Sequence, residues 1–221
     1  MPVTTRPPAV ESDTADRILD AADRLLGRFG YRKMTIDDLA REAGIGKGTV
    51  YLSFRSKSDV ALACIDRMAA RLLVRLEELA AGPSPPAARL EAMLVARVLH
   101  RFDYARGHSD RLDELLAAIR PLLLERRARH FRAESALVAR VLDEAGVDES
   151  AAVAEAMVLA TNALLPYSLG ARELGRRSEL ARRAERVARL VLVGALPRKS
   201  NGALPRKSNG ALPRKSPRSA S

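Results

Sequence analysis

The sequence predicts an all-α protein, and three observations support this fold class. Residues of high helix propensity dominate, chiefly Ala, Leu, Arg and Glu, whereas aromatic residues make up only 4%. Apolar residues recur at three- and four-residue spacing through most of the chain. No segment shows the pattern of a β-strand. With 221 residues, 47% of them hydrophobic, the chain can form a small N-terminal domain and a larger helical one.

The N-terminal residues predict a disordered arm followed by one helix. Residues 1–12 contain Pro, Thr and Ser and lack the apolar core of a secretion signal, so we expect a disordered arm there. The first helix is predicted from about Thr14 to Phe29, where Gly30 ends it. Its apolar residues lie on one face, which should pack against the two short helices that follow.

Residues 35–57 organise the chain, because they predict two short helices joined by a tight turn. Thr35 and Asp38 have the spacing of a capping box, and Gly44 supplies the positive φ that the turn requires. The second short helix, within GKGTVYLSF, is too polar and glycine-rich to be a core helix. Two short helices with a glycine in the turn are typical of a helix-turn-helix.

The charge around the second short helix points to DNA. Lys47, Arg55 and Lys57 lie between residues 46 and 58, where no acidic residue occurs. Cations, hydroxyls and exposed backbone N–H groups are what phosphate contacts use. The alternative is a helix that serves only as a connector, with Tyr51 and Phe54 in the core.

The same stretch resembles the N-terminal DNA-binding domain of TetR-type transcriptional regulators, strongly over residues 13–62. The matching residues are Thr35, Leu39, Ala40, Ala43, Gly44, Ile45, Gly48, Thr49, Val50, Tyr51, Phe54, Ser56, Lys57 and Asp59. The resemblance implies a repressor that binds a palindromic operator in double-stranded DNA as a homodimer and is released by a small-molecule effector. The residues expected at the DNA are Thr35, Lys47, Gly48, Thr49, Tyr51, Ser53 and Lys57. Asp37 stands where relatives often read a base, and its charge would repel phosphate.

The rest of the chain predicts further helices and a tail. Ser56 and Asp59 cap a fourth helix that reaches about Leu79, and a proline-rich break follows. About nine helices are expected in all. The later ones are predicted at 87–106, 110–119, 121–146, 148–172 and 175–196. We therefore expect a DNA-binding domain at 13–58, a helical regulatory and dimerisation domain at 59–196, and a disordered basic tail at 197–221.

The helical domain offers candidates for an effector pocket and a dimer surface. By the resemblance, the pocket lies among the middle helices and the homodimer forms through the last two helices. The pocket candidates are Met93, Arg97, His100, Tyr104, Arg127, Phe131, Asn162 and Tyr167. Each has a plainer explanation: His100 and Arg101 as surface groups, for example, or Asn162 as a satisfied interhelical polar group. Pro166 is predicted to kink the eighth helix.

Composition excludes several other classes of protein. The single Cys64 rules out an intrachain disulfide and fits a reducing cytoplasm, and the three histidines lack metal-ligand spacing. We expect no enzyme, no metal and no cofactor. No run of 18 apolar residues predicts a membrane span.

The net charge of +11 comes largely from the tail. Seven basic residues and no acidic residue follow Gly194, so the net charge of the preceding chain is +4. The tail repeats GALPRKSN, and its regular prolines exclude a continuous helix. It is either a basic arm that adds nonspecific phosphate affinity or a tandem duplication with little role. Two alternative functions stay open: a ligand-independent DNA-bound organiser or protein-partnered regulator, and a membrane-associated protein that uses the arginine-rich last helix and the tail.

Overall fold

The structure, a computed structural model, describes residues 9–107, 112–166 and 175–195. These ranges form eight α-helices and no β-strand, which confirms the predicted all-α fold class. We call α1–α3 the head and α4–α8 the body. The helices are α1 (Ala9–Lys33), α2 (Ile36–Ala43), α3 (Lys47–Ser53), α4 (Lys57–Ala80), α5 (Pro86–Arg106), α6 (Leu112–Glu144), α7 (Ser150–Asn162) and α8 (Arg177–Ala195).

The head packs around an apolar core that the body helps to complete. Ile18 of α1, Leu39 of α2 and Val50 of α3 are fully buried in this core. The first turns of α4 join it through residues 60–65, and α6 contributes Leu115 and Ile119. Body side chains therefore fill part of the head core, and the head and the body share one apolar core where they meet.

The first helix is longer than predicted. It begins at Ala9, five residues before Thr14, and is interrupted at Gly30, whose φ of 76° and ψ of 171° are not helical. The interruption occurs at the glycine that the sequence predicted as the helix end, and one more turn runs on to Lys33. Residues 9–12 of the expected arm are thus helical, and residues 1–8 lie outside the described part of the chain.

The predicted break between residues 119 and 121 is wrong. A single helix, α6, continues from Leu112 to Glu144 with Pro121 inside it. A proline there removes one backbone hydrogen bond, at a cost of about 3 kcal/mol. Leu115 and Ile119 bury their side chains in the head core just before the proline, and this packing opposes a break.

The helix predicted from Asp148 to Arg172 also differs. The α-helix α7 ends at Asn162, where the N–H groups of Leu164 and Leu165 turn to bond the carbonyls of Thr161 and Asn162, both at 3.1 Å. Pro166 therefore follows the helix instead of kinking it. Residues 167–174, with the pocket candidate Tyr167, lie outside the described part of the chain.

The body contains a buried ionic network between α5, α6 and α7. Arg97 and Glu134 are each only 1% exposed, and the Arg97 guanidinium donates to Glu134 Oε2 at 2.6 Å. It also donates to Thr161 Oγ1 at 2.5 Å and Asn162 Oδ1 at 2.6 Å. Arg101, which is buried and not on the surface, donates to Glu134 Oε1. One carboxylate thus serves two buried guanidinium groups.

Replacement of Glu134 with Ala should destabilise the protein strongly. It would leave Arg97 and Arg101 without their shared carboxylate in the interior, a loss of about 3–5 kcal/mol in the free energy of unfolding. Urea denaturation followed by circular dichroism measures this loss.

The matched control is Glu125→Ala, which removes an exposed carboxylate from the same helix and should cost less than about 0.5 kcal/mol. Equal effects of the two substitutions would show that the buried network contributes nothing specific to stability.

Candidate nucleic-acid interface

The helix-turn-helix geometry is set by caps and one glycine. The Asp38 backbone N–H donates to Thr35 Oγ1 at 3.1 Å, and the Thr35 backbone N–H donates to Asp38 Oδ2 at 3.2 Å, so the predicted capping box is confirmed. The hydrogen bond from Thr35 lowers the pKa of Asp38. Gly44 has φ 66° and ψ 39°, the left-handed conformation predicted for the turn.

An arginine on the first helix holds this turn. Arg17 of α1 donates to the Ala43 carbonyl at 2.8 Å, across 26 residues of sequence. Arg24, also on α1, donates to Glu42 at 2.6 Å. Both contacts fix α2 and its turn against α1. Helical periodicity places such residues on the polar face but does not reveal partners so distant in sequence.

The outward face of α3 is open to solvent. Val50 points inward and is fully buried, whereas Lys47, Gly48, Tyr51 and Ser53 are exposed and Thr49 is half-buried. The structure therefore brings five of the seven predicted DNA contacts together on one short helix. Leu52, which the sequence reasoning did not single out, is the most exposed large apolar side chain in the described part of the chain.

Gly48 is not required by the packing of the protein itself. A Cβ atom added there would meet no atom within 4 Å, and the backbone φ lies outside the left-handed region. Alanine is favoured over glycine within a helix, by roughly 0.5–1 kcal/mol. The glycine therefore suits close approach by something outside the chain.

Lys47 makes a solvent-exposed ion pair in the free protein. Its Nζ lies 3.0 Å from Asp37 Oδ2, and this hydrogen bond raises the pKa of Lys47. Exposed pairs of this kind contribute little to stability, because solvent screens them. The ammonium group can therefore exchange Asp37 for a phosphate at small cost.

The other two predicted contacts, Thr35 and Lys57, make hydrogen bonds to groups of the protein itself. Both hydrogen-bond donors of Thr35 bind the Asp38 carboxylate, with its hydroxyl 2.6 Å from Oδ2. Lys57 donates to the carbonyls of Tyr31 and Arg32 at 3.0 and 3.3 Å, and its Nζ lies 4.4 Å from the centre of the Tyr31 ring. A cation at a helix N-terminus opposes the macrodipole, so these contacts, and not helix stability, account for a lysine at the start of α4.

The effector-pocket candidates do not form one group. Arg97 and Asn162 belong to the buried network, and the Phe131 ring lies 5.0 Å from the Arg97 guanidinium and 5.4 Å from that of Arg127. Met93, one turn before Arg97, is fully buried in the neighbouring apolar core.

His100 and Tyr104, the last two described candidates, lie on α5 where this helix contacts α4 and α1. His100 Nε2 lies 3.0 Å from the Met68 carbonyl oxygen, and burial lowers the pKa of this imidazole. The Tyr104 hydroxyl donates to Asp23 of α1 at 3.1 Å. Burial raises the pKa of the Tyr104 hydroxyl. Asp23 also accepts from Arg67 of α4 at 2.7 Å. We call Asp23, Arg67 and Tyr104 the head–body joint.

A cleft of about 590 Å³ also lies between head and body, lined by Tyr31, Arg32, Ala117 and Ala118. Within the described ranges, no three His, Cys, Asp or Glu side chains converge as metal ligands. None of the described helices combines the length and apolarity needed to cross a lipid bilayer.

The head geometry is that of a helix-turn-helix, and comparison with known proteins shows which regulators it is similar to. Residues 18–64 match the family of bacterial regulatory proteins, tetR family. The match covers the head and the first turns of α4, and relatives that share this segment are regulators of transcription.

Similarity to individual relatives is concentrated in the head, whereas the fold is shared over the described body as well. The fatty acid metabolism regulator protein of Bacillus subtilis is 31% identical over 62 residues, which are 28% of this chain and 32% of that protein. The chain thus aligns with about a third of this relative's length. The structure of a transcriptional regulator from Cytophaga hutchinsonii is 18% identical and has a TM-score of 0.68. The alignment covers 82% of this chain and 98% of that chain. The SmeT–triclosan complex, 22% identical, has a TM-score of 0.55 over 91% of this chain and all of that chain.

Lys57→Ala should lower the free energy of unfolding by about 1–2 kcal/mol, because it removes two charge-assisted hydrogen bonds and the contact with the Tyr31 ring. Lys33→Ala, which removes an exposed ammonium group nearby, should change it by less than about 0.5 kcal/mol. Urea denaturation of both variants tests this. Equal, small effects would mean that Lys57 does not hold the α1–α2 connection.

Proposed function

We propose that this protein is a cytoplasmic, dimeric repressor that binds a palindromic operator and releases it when a small molecule binds the body. The observation that carries the proposal is the outward face of α3, which combines a bare glycine, hydroxyl groups and a cation. Such a surface suits the phosphates and base edges of double-stranded DNA. The match of residues 18–64 to bacterial regulatory proteins of the tetR family supports this proposal.

We infer different roles for the seven predicted DNA contacts from their positions and hydrogen bonds. Lys47, Thr49, Tyr51 and Ser53 would bind phosphates and base edges directly, and Gly48 would let the backbone approach the groove. Lys57 would use its third N–H for a phosphate while it holds the α1–α2 connection. Thr35 would act through its capping box and not as a phosphate donor, since Asp38 takes both of its donors.

Release by an effector would use α5 as the connection between body and head. Arg97 lies near the middle of α5 in the buried network, and Tyr104 lies two turns later in the head–body joint. A molecule that rearranges the network around Arg97 and Phe131 would shift α5 and thereby the hydrogen bond to Asp23. The effector must bind the shifted state better than the DNA-competent one. One solved structure with this fold holds triclosan, which supports a small molecule as the effector.

The alternative of a ligand-independent DNA-bound organiser or protein-partnered regulator keeps the same head, and a regulator of that kind would bind DNA without responding to small molecules. The membrane-associated alternative receives no support from the relatives, which are regulators of transcription. We therefore retain DNA binding as the central activity in both remaining hypotheses.

Gly48→Ala should weaken binding to the operator by about tenfold or more, because the added methyl group holds the α3 backbone away from the groove. The fold should not suffer, since the methyl group meets no protein atom within 4 Å. The measurement is a gel-shift titration with the DNA upstream of the gene, with circular dichroism as a check on folding.

Two controls sharpen this test. Glu125→Ala changes an exposed residue of α6 and should leave DNA affinity unchanged. A chain lacking residues 197–221 should still give a discrete shift that resists competitor DNA at raised salt. Loss of the shift with the tail would mean that the affinity came from nonspecific charge and would overturn the repressor proposal.

We further propose that the homodimer forms through α7 and α8. Leu159 of α7 and Leu190 and Val193 of α8 are 56%, 70% and 70% exposed, and apolar side chains of this size suit a helix–helix interface. A symmetric pair of heads would then read two half-sites about one helical turn of DNA apart.

The double variant Leu159→Glu, Leu190→Glu should sediment as a monomer in analytical ultracentrifugation and lose operator binding. Val74→Glu, at a 62% exposed position on α4, should remain dimeric. A double variant that stays dimeric would place the interface elsewhere.

A further inference from the structure

Leu52 occupies an unusual position for an apolar side chain. It is 88% exposed, more than any other large apolar residue in the described part of the chain. Its helix, α3, buries Val50 on the opposite side and so gains nothing in packing from Leu52. Single exposed leucines are common on protein surfaces, so exposure alone assigns no role.

The second observation is the bare strip beside it. Gly48 lies four residues earlier and therefore on the same face of α3, and no protein atom lies within 4 Å of where its side chain would begin. Helical side chains lean toward the N-terminus. The isobutyl group of Leu52 therefore lies beside a stretch of backbone that a flat surface can approach.

The third observation is the charge at the two ends of this face. Lys47 lies beside Gly48 and is about half exposed, and Arg55 follows the helix and is exposed. Cations on either side suit the two phosphate chains that border a groove of DNA, with the Gly48–Leu52 strip between them. An apolar side chain there would meet the base edges.

We propose that Leu52 reads the 5-methyl group of a thymine in the major groove, and that Gly48 provides the close approach that this contact needs. Thymine presents the one apolar group among the base edges of that groove, and apolar side chains recognise it by contact. The assignment depends on the proposed DNA binding and adds to it a specificity-determining residue and the base that it selects.

The experiment compares thymine with deoxyuridine, which differs only by the absent methyl group. An operator is first selected from a random duplex pool with the full-length protein. Each thymine of its half-site is then replaced by deoxyuridine, and affinities are measured by fluorescence anisotropy for the natural protein and for Leu52→Ala.

The natural protein should lose about fourfold in affinity per half-site at one thymine position, the effect of removing one buried methyl group. Leu52→Ala should bind the thymine and deoxyuridine operators equally at that position. Leu122→Ala, which shortens an exposed leucine on α6, should keep the fourfold preference. Any effect of deoxyuridine on DNA shape would remain in all three proteins and so cancels in the comparison.

Two results would overturn the assignment. Equal affinity of the natural protein for thymine and deoxyuridine at every position would remove the methyl contact. An unchanged preference in Leu52→Ala would give the contact to another residue. If no sequence is selected from the pool, the proposed DNA-binding function fails together with the assignment, whereas a selected operator with no methyl effect refutes the assignment alone.

Discussion

The carboxylate of Asp23 determines how the head is held on the body. It accepts a hydrogen bond from Arg67 of α4 and another from the buried hydroxyl of Tyr104 on α5. Arg67 also donates to Asp20 at 2.8 Å, so α1 is tied to two body helices at once. The apolar contacts of α6 in the head core reinforce this connection. The direction in which α3 presents its outer face thus depends on body helices and not on the head alone.

The buried network around Glu134 places a complementary constraint on the body. Desolvated charges are costly unless they are paired and hydrogen-bonded, and here two guanidinium groups share one carboxylate on a neighbouring helix. The relative positions of α5, α6 and α7 are fixed by these directional contacts as well as by apolar packing. Directional contacts of this kind limit how the three helices can be arranged, which would suit the ligand-dependent switch proposed above.

Local signals in the sequence were sufficient for the cap, the turn and the buried side of the helix-turn-helix formed by α2 and α3. The capping box at Thr35 and Asp38, the left-handed Gly44 and the inward-facing Val50 each follow from a few neighbouring residues. The body was less predictable because its decisive contacts are distant in sequence. Pro121 looked like a helix start, yet tertiary packing of Leu115 and Ile119 keeps α6 continuous through it. In the same way, no local pattern pairs Arg97 with Glu134, or Tyr104 with Asp23. Because Arg97 and Tyr104 bind these different partners, the pocket candidates lie in different parts of the body.

The seven-residue length of α3 has an evolutionary consequence. Val50 is its buried side chain, and the residues around it on the outer face take little part in holding the fold together. If α3 binds DNA as proposed, substitutions on that face would change the DNA sequence that is read without a large loss of stability. A duplicated copy of the gene would be able to acquire a new target through a few such changes. The capping box of α2, the turn at Gly44 and the head–body joint would continue to present α3 in the same way.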